Sequence, residues 1–196
     1  MLVEKSVENA LVSKIEQRIL DMFGEHPIES EDLGKIVNQH HFERILNLIN
    51  DAVKKGAKLH VPGGVLELGV EKRRISPCIL TNCTNDMSIM QEEIFGPVLP
   101  VMSWTKKEEV IEIIAKNPHP LALYIFSSKK THTDWFIDNT KAGSTAVNEV
   151  VIQVANPELP FGGIQTSGIG RSSGKYSFDA FSNLRSFVVQ TSRFNA

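Results

Sequence analysis

Apolar residues recur every fourth position from Val7 through Leu11, Ile15 and Ile19, and Ala10 and Met22 reinforce the same stripe. That spacing keeps one face of a helix apolar and predicts a helix over residues 6–23, with Ser6 as N-cap and Gly24 as the stop. The polar stretch EHPIESEDLG then reads as a surface loop. A second helix is expected after an Asn38 cap, with Phe42, Ile45, Leu46, Ile49 and Val53 on its buried face and Gly56 at its end.

The pattern then shortens. AKLHV, PGG and VLEL suggest a strand, a turn and a further extended piece, and ISPCILTN reads as a strand whose Pro77 places its start at an edge or a strand end. PVLPVMSW is an apolar strand. Thr105 and Glu108 have the spacing of a capping box, opening a helix that carries Val110, Ile111, Ile113 and Ile114 and ends near Asn117. PLALYIF is a near-continuous apolar run, as in a strand buried on both faces. A helix over residues 131–139 and a strand in GSTAVNEV follow. The alternation is that of an α/β fold, a mostly parallel twisted sheet flanked by helices. The last third is glycine-rich, then helical, and SFVVQ reads as a closing strand. No linker or internal repeat is evident, so a single domain is expected.

Composition adds exclusions. A hydrophobic share of 41%, a charged share of 22% and a net charge of -2 fit an ordinary globular protein and give no electrostatic footprint for nucleic acid. No apolar run is long enough to span a bilayer, and the first residues show no leader pattern, so a cytoplasmic location is expected. Cys78 and Cys83 match no metal or redox spacing and read as free thiols. His40 and His41 are adjacent and cannot chelate one ion together, so no metal site is expected.

The remaining chemistry sits in two places. MQEEIFGP, residues 90–97, sets Glu92 beside Glu93. Neighbouring side chains diverge, so these carboxyls cannot converge on a substrate as a glycosidase pair does. A solvated loop acid is the ordinary reading, although a single carboxylate also suits a vicinal diol such as a ribose. Gly168, Gly170 and Gly174 form G-x-G-x-x-x-G, one residue too long for a dinucleotide fingerprint. Taken alone, these residues leave an α/β domain without an assigned activity.

Taken together, MQEEIFGPVLPV, PLALYIFS, VNE, LPFGGIQTSGIGR and GKYSFDAFSN stand in an order and spacing that resembles the NAD(P)-dependent aldehyde dehydrogenases, and HFERI, PLALYIFS and GKYSFDAFS look most like the class 3 branch. The resemblance covers essentially the whole chain and implies the fold of the family's catalytic, substrate-side domain. It implies residues 1–183 as a catalytic-domain fragment and residues 184–196 as a C-terminal oligomerisation strand. It further implies that Glu93 accepts hydrogen bonds from the nicotinamide ribose and that Phe95 lies beside the nicotinamide. Gly96 and Pro97 would set the turn into the next strand. Asn148, Pro160, Phe161 and Gly162, with Gly163, would line or support the substrate side.

In the family a cysteine thiolate attacks the aldehyde, hydride passes to the nicotinamide, and a glutamate-activated water releases the acid. The resemblance places that cysteine motif, the general-base glutamate, the oxyanion asparagine and the dinucleotide lobe upstream of the segment with which this chain begins. The expectations are therefore an aldehyde as substrate and NAD or NADP as cofactor of the intact enzyme. No catalytic residue, no cofactor bound by this chain alone, and a homodimer or higher species are also expected. A non-catalytic oligomerisation or subunit-binding module derived from this fold is the alternative. A third reading makes Cys83 a thiol nucleophile.

Overall fold

A computed structural model describes residues 1–69, 71–117 and 119–190. They fall into two compact units, Met1–Ala115 and Lys116–Ala196. Among the described residues no helix is long and apolar enough to cross a membrane.

In the first unit, β1 (Leu2–Glu4) leads through a 3-10 turn (Lys5–Val7) into α1 (Glu8–Phe23). Ser6 does not cap this helix, because it lies inside the turn and its hydroxyl donates to Glu4 at 2.9 Å. With Val7 outside the helix, the buried face rotates. Glu8 and Val12 are buried, Leu11, Ile15 and Ile19 are half-buried, and Val7 and Met22 are exposed. Gly24 stops the helix as expected, at φ 80°, with its N–H on the Leu20 carbonyl.

Helix α2 (Gln39–Lys54) is capped as expected, the Asn38 side chain accepting the His41 N–H at 2.9 Å. Its buried face is Phe42, Ile45, Leu48, Ile49 and Ala52. Phe42, Ile45 and Ile49 are buried as expected, whereas Leu46 is half-buried and Val53 exposed, and Leu48 and Ala52 complete the face.

The sheet that α2 covers contains β2 (Lys58–His60), β5 (Cys78–Thr81) and β6 (Val98–Pro100), in that order across the sheet with β5 central. β2 pairs antiparallel and β6 parallel to β5. Pro77 thus marks a strand end and not an edge. Two short strands, β3 (Leu68–Gly69) and β4 (Arg74–Ile75), form a separate antiparallel pair.

The expected strand PVLPVMSW divides into β6 and β7 (Met102–Trp104), and β7 pairs parallel to β1. Val101 bridges the division, its N–H on Leu80 at 2.7 Å and its carbonyl accepting from Cys83 at 3.3 Å.

Alternation along these strands separates two cores. Ile79 and Val101 pack with Val3 of β1 and Val12 of α1, while Cys78, Leu80, Val98 and Met102 pack with Phe42, Ile45 and Ile49 of α2. The sheet is therefore clad by a helix on each face, as the α/β reading requires. Helix α3 (Lys107–Lys116) is opened by Thr105, but its partner is Glu109 and not Glu108. The Glu109 carboxylate accepts both the Thr105 N–H and hydroxyl at 3.0 Å.

In the second unit, β8 (Ala122–Ile125) and β9 (Ser144–Val147) pair in parallel, joined through α4 (Lys130–Asn139). PLALYIF was expected to be buried on both faces. Among the described residues β8 has one ladder neighbour, and Leu121, Tyr124 and Phe126 are exposed. Two short helices follow, α5 (Ile152–Ala155) and α6 (Gly174–Ala180). Residues 186–190, expected to open the closing strand, carry no ladder among the described residues. The rest of the expected C-terminal strand, residues 191–196, lies outside the described residues.

Candidate functional site

Each unit contains part of what the sequence singles out. In the first, the loop between a 3-10 turn at Ser88–Met90 and β6 carries the two acids. They part company, as adjacent side chains must. Glu92 forms an ion pair with Arg44 of α2 at 3.2 Å. Glu93 is exposed, and no hydrogen bond or ion pair engages its carboxylate among the described residues.

Phe95 follows in a left-handed conformation, φ 48°, with 74% of its surface exposed. That backbone costs a non-glycine residue about 1–2 kcal/mol, so its surroundings must impose it. Gly96 supplies one constraint. A Cβ there would stand 2.6 Å from Cδ1 of the fully buried Ile45, so a side chain at this position would have to displace Ile45 for the loop to lie this close to α2. Pro97 supplies another, its carbonyl accepting the Cys78 N–H at 3.0 Å. Phe95, Gly96 and Pro97 border a groove of ≈ 560 Å³ whose other wall is residues 33–37 and His41. A free carboxylate two residues before an exposed aromatic ring that borders an apolar groove suits a ligand that joins a polyol to a flat ring.

The second unit places Asn148 at the carboxyl ends of β8 and β9, where open α/β sheets hold ligands. Its side chain is a tie. Oδ1 accepts the Ser127 N–H at 2.9 Å and Nδ2 donates to the Ser127 carbonyl at 3.0 Å. One N–H and one acceptor lone pair remain for other partners.

Pro160 leads into a closed loop. Phe161 and Ser172 exchange both backbone hydrogen bonds, at 2.9 and 2.8 Å. Arg171 donates to the carbonyls of Gly163 and Gly170 inside it. Gly162 and Gly163 press against the turn at residues 167–170 so closely that a Cβ on either would meet a backbone oxygen. Pro160, Phe161 and Gly162 are half-buried, so this hydrogen-bonded loop forms a ledge at the surface. Sequence reasoning passed over Ser127, Arg171 and Arg44. The one signal for Arg44 was a charged residue set between the buried Phe42 and Ile45.

The sequence model of the aldehyde dehydrogenase family matches residues 1–187. The chain belongs to the aldehyde dehydrogenase family. It is 38% identical, over 98% of its own length, to the 4,4'-diaponeurosporen-aldehyde dehydrogenase of Staphylococcus aureus, and spans 41% of that relative. The dimeric NADP-preferring aldehyde dehydrogenase of Mus musculus is also 38% identical over 98% of the chain, again 41% of the relative. The substrate-bound state of Staphylococcus aureus AldH superposes with a TM-score of 0.88 at 36% identity, covering 100% of this chain and 41% of that one. This aldehyde dehydrogenase chain thus spans about two-fifths of the length of the relatives it matches.

A family that works through a thiolate directs attention to the two cysteines. Cys78 is 1% exposed, and burial pushes its thiol up to about 12. Cys83 is 5% exposed, its Sγ donates to the Leu80 carbonyl at 3.2 Å, and burial raises its pKa as well. A reactive cysteine is exposed and has a lowered pKa, the reverse of both. In this chain they are core residues. Neither should be alkylated by iodoacetamide at pH 7.5 in the folded protein, and both should react once guanidinium unfolds it. Mass spectrometry of the native and denatured samples checks this, and rapid native labelling of Cys83 would restore it as a nucleophile.

Proposed function

We propose that these 196 residues are the C-terminal, substrate-side part of an NAD(P)-dependent aldehyde dehydrogenase that oxidises an aldehyde to a carboxylic acid. Glu93 accepts the hydroxyls of the nicotinamide ribose, and Phe95 lies beside the nicotinamide ring. Asn148 and the ledge of Pro160, Phe161 and Gly162 support the aldehyde side. The observation that carries the reading is the division between the two acids: Glu92 is engaged by Arg44, while Glu93 is left free two residues before the exposed Phe95. Among the relatives, one is an NADP-preferring enzyme, and an indole-3-acetaldehyde dehydrogenase solved with NAD+ superposes with a TM-score of 0.78 at 28% identity, covering 94% of this chain and 37% of that one.

The described residues offer no activated thiol, so the polypeptide made of these residues alone does not turn over. With only the nicotinamide end of a cofactor site, it holds NAD or NADP weakly. The exposed Phe178, Phe181, Leu184 and Phe187 form an apolar stretch on which a homodimer or higher species would pack.

The test is β-nicotinamide mononucleotide, which carries the ribose and ring without the adenosine. At millimolar concentration its ring protons should show magnetisation transfer from Phe95. Glu93→Gln should weaken binding about tenfold, because hydrogen bonds to a charged acceptor are lost. Equal binding by Glu93→Gln, or no transfer from Phe95, would contradict the assignment.

A further inference from the structure

We infer that Arg44 is the positioning residue of the ribose-holding loop: its guanidinium fixes the backbone of Glu93 and Ile94 and so aims the Glu93 carboxylate and the Phe95 ring. Its bearing on ribose rests on the reading of Glu93 given above. Arg44 projects from α2 with a side chain only 18% exposed. Nη1 donates to the Glu93 carbonyl at 3.1 Å and Nη2 to the Ile94 carbonyl at 2.5 Å. Nε donates to His41 Nδ1 at 3.2 Å, which steadies the plane of the fork from behind. Two successive carbonyls held by two nitrogens of one rigid plane leave the intervening peptide little freedom to rotate.

The loop needs such a grip because Phe95 is left-handed, and an unfavourable backbone persists only where its neighbours over-determine it. Adjacent residues of α2 act on either side of it. Arg44 holds the carbonyls that precede Phe95, and Ile45 backs the glycine that follows.

The same guanidinium explains why the motif carries two acids. Glu92 pairs with Nη1 at 3.2 Å and balances the half-buried positive charge. HFERI and EEIFG are therefore one device, a helix that supplies the fork and a loop that supplies the carbonyls and the free acid. Lysine could not replace the fork, since an ammonium is a point charge that holds one carbonyl well and not two in a fixed plane.

The experiment uses this chain, Arg44→Met and Arg44→Lys. Backbone couplings and carbon shifts report the positive φ of Phe95, amide exchange reports α2, and titration with β-nicotinamide mononucleotide reports the site. In Arg44→Met the positive-φ signature should average out and the affinity should fall about tenfold, while protection of α2 amides is retained. Arg44→Lys should be intermediate in both and serves as the test if the methionine variant fails to fold. An unchanged Phe95 signature in a folded Arg44 variant would overturn the inference. A Phe95 signature that collapses while Glu93→Gln leaves ligand affinity unaltered would uphold the positioning role and remove the ribose reading.

Discussion

Gly163→Ala is expected to break the loop that follows Pro160. An added Cβ would lie 2.0 Å from the Ser167 carbonyl oxygen and 2.2 Å from its carbon. Both are backbone atoms, so no side-chain rotation relieves the overlap, and the main chain itself must move. That movement pulls on the Phe161–Ser172 pair and on the Gly163 carbonyl held by Arg171. A cost of about 3 kcal/mol is expected, at the upper end for overpacking.

Gly170→Ala is the informative comparison. Nothing lies within 4 Å of a Cβ there, and only its φ of +81° opposes the change, at about 1–2 kcal/mol. Amide exchange should show protection of Phe161 and Ser172 lost in the first variant and largely kept in the second. Equal effects would mean that backbone conformation, and not close approach, holds the ledge.

Ile45→Ala should be the most damaging single truncation in the first unit. Ile45 is 0% exposed and belongs to the cluster that joins α2 to Cys78, Leu80 and Val98 of the sheet. Removing its outer carbons should cost about 2–5 kcal/mol, from lost burial and from the cavity left behind. Because the same side chain backs Gly96, the effect should reach the candidate site. Gly96→Ala in the intact protein forces a methyl to 2.6 Å from Ile45 Cδ1 and should cost about 1–3 kcal/mol. In Ile45→Ala that methyl enters vacated space. The double variant should therefore be less destabilised than the sum of the singles by about 1 kcal/mol or more, which denaturant titration of the four proteins would show. Additive costs would mean that the loop does not rest on Ile45.

The large elements were legible because they rest on local rules. The Asn38 cap, the stop at Gly24 and the strand at Cys78–Thr81, bounded by Pro77, each follow from a few neighbouring residues. Where the reading slipped, tertiary partners decided. The face of α1 rotated because Val7 fell into a preceding 3-10 turn, and Thr105 chose Glu109 over Glu108 by one position. PLALYIF reads as doubly buried from composition, yet its exposure depends on which strands stand beside it.

The candidate site was legible only through its resemblance. Nothing in Glu92–Glu93 as a dipeptide tells which acid is engaged. That information sits in Arg44, roughly fifty residues away in the chain, and in a positive φ at Phe95 that no propensity anticipates for phenylalanine. Asn148 likewise gives no sign in sequence that its amide is committed to Ser127.

The central claim is that these residues carry the ribose acid and the substrate ledge of an aldehyde dehydrogenase but no working nucleophile. Aldehyde-dependent NAD(P)H formation tests it most directly. The purified 196-residue chain, shown to be folded by circular dichroism, is assayed with a medium-chain and an aromatic aldehyde in the presence of NAD or NADP. The account predicts no turnover above the uncatalysed rate, and the same trace from Cys83→Ala. A robust rate that disappears in Cys83→Ala would contradict it, because a thiol buried at 5% exposure would then be doing the chemistry.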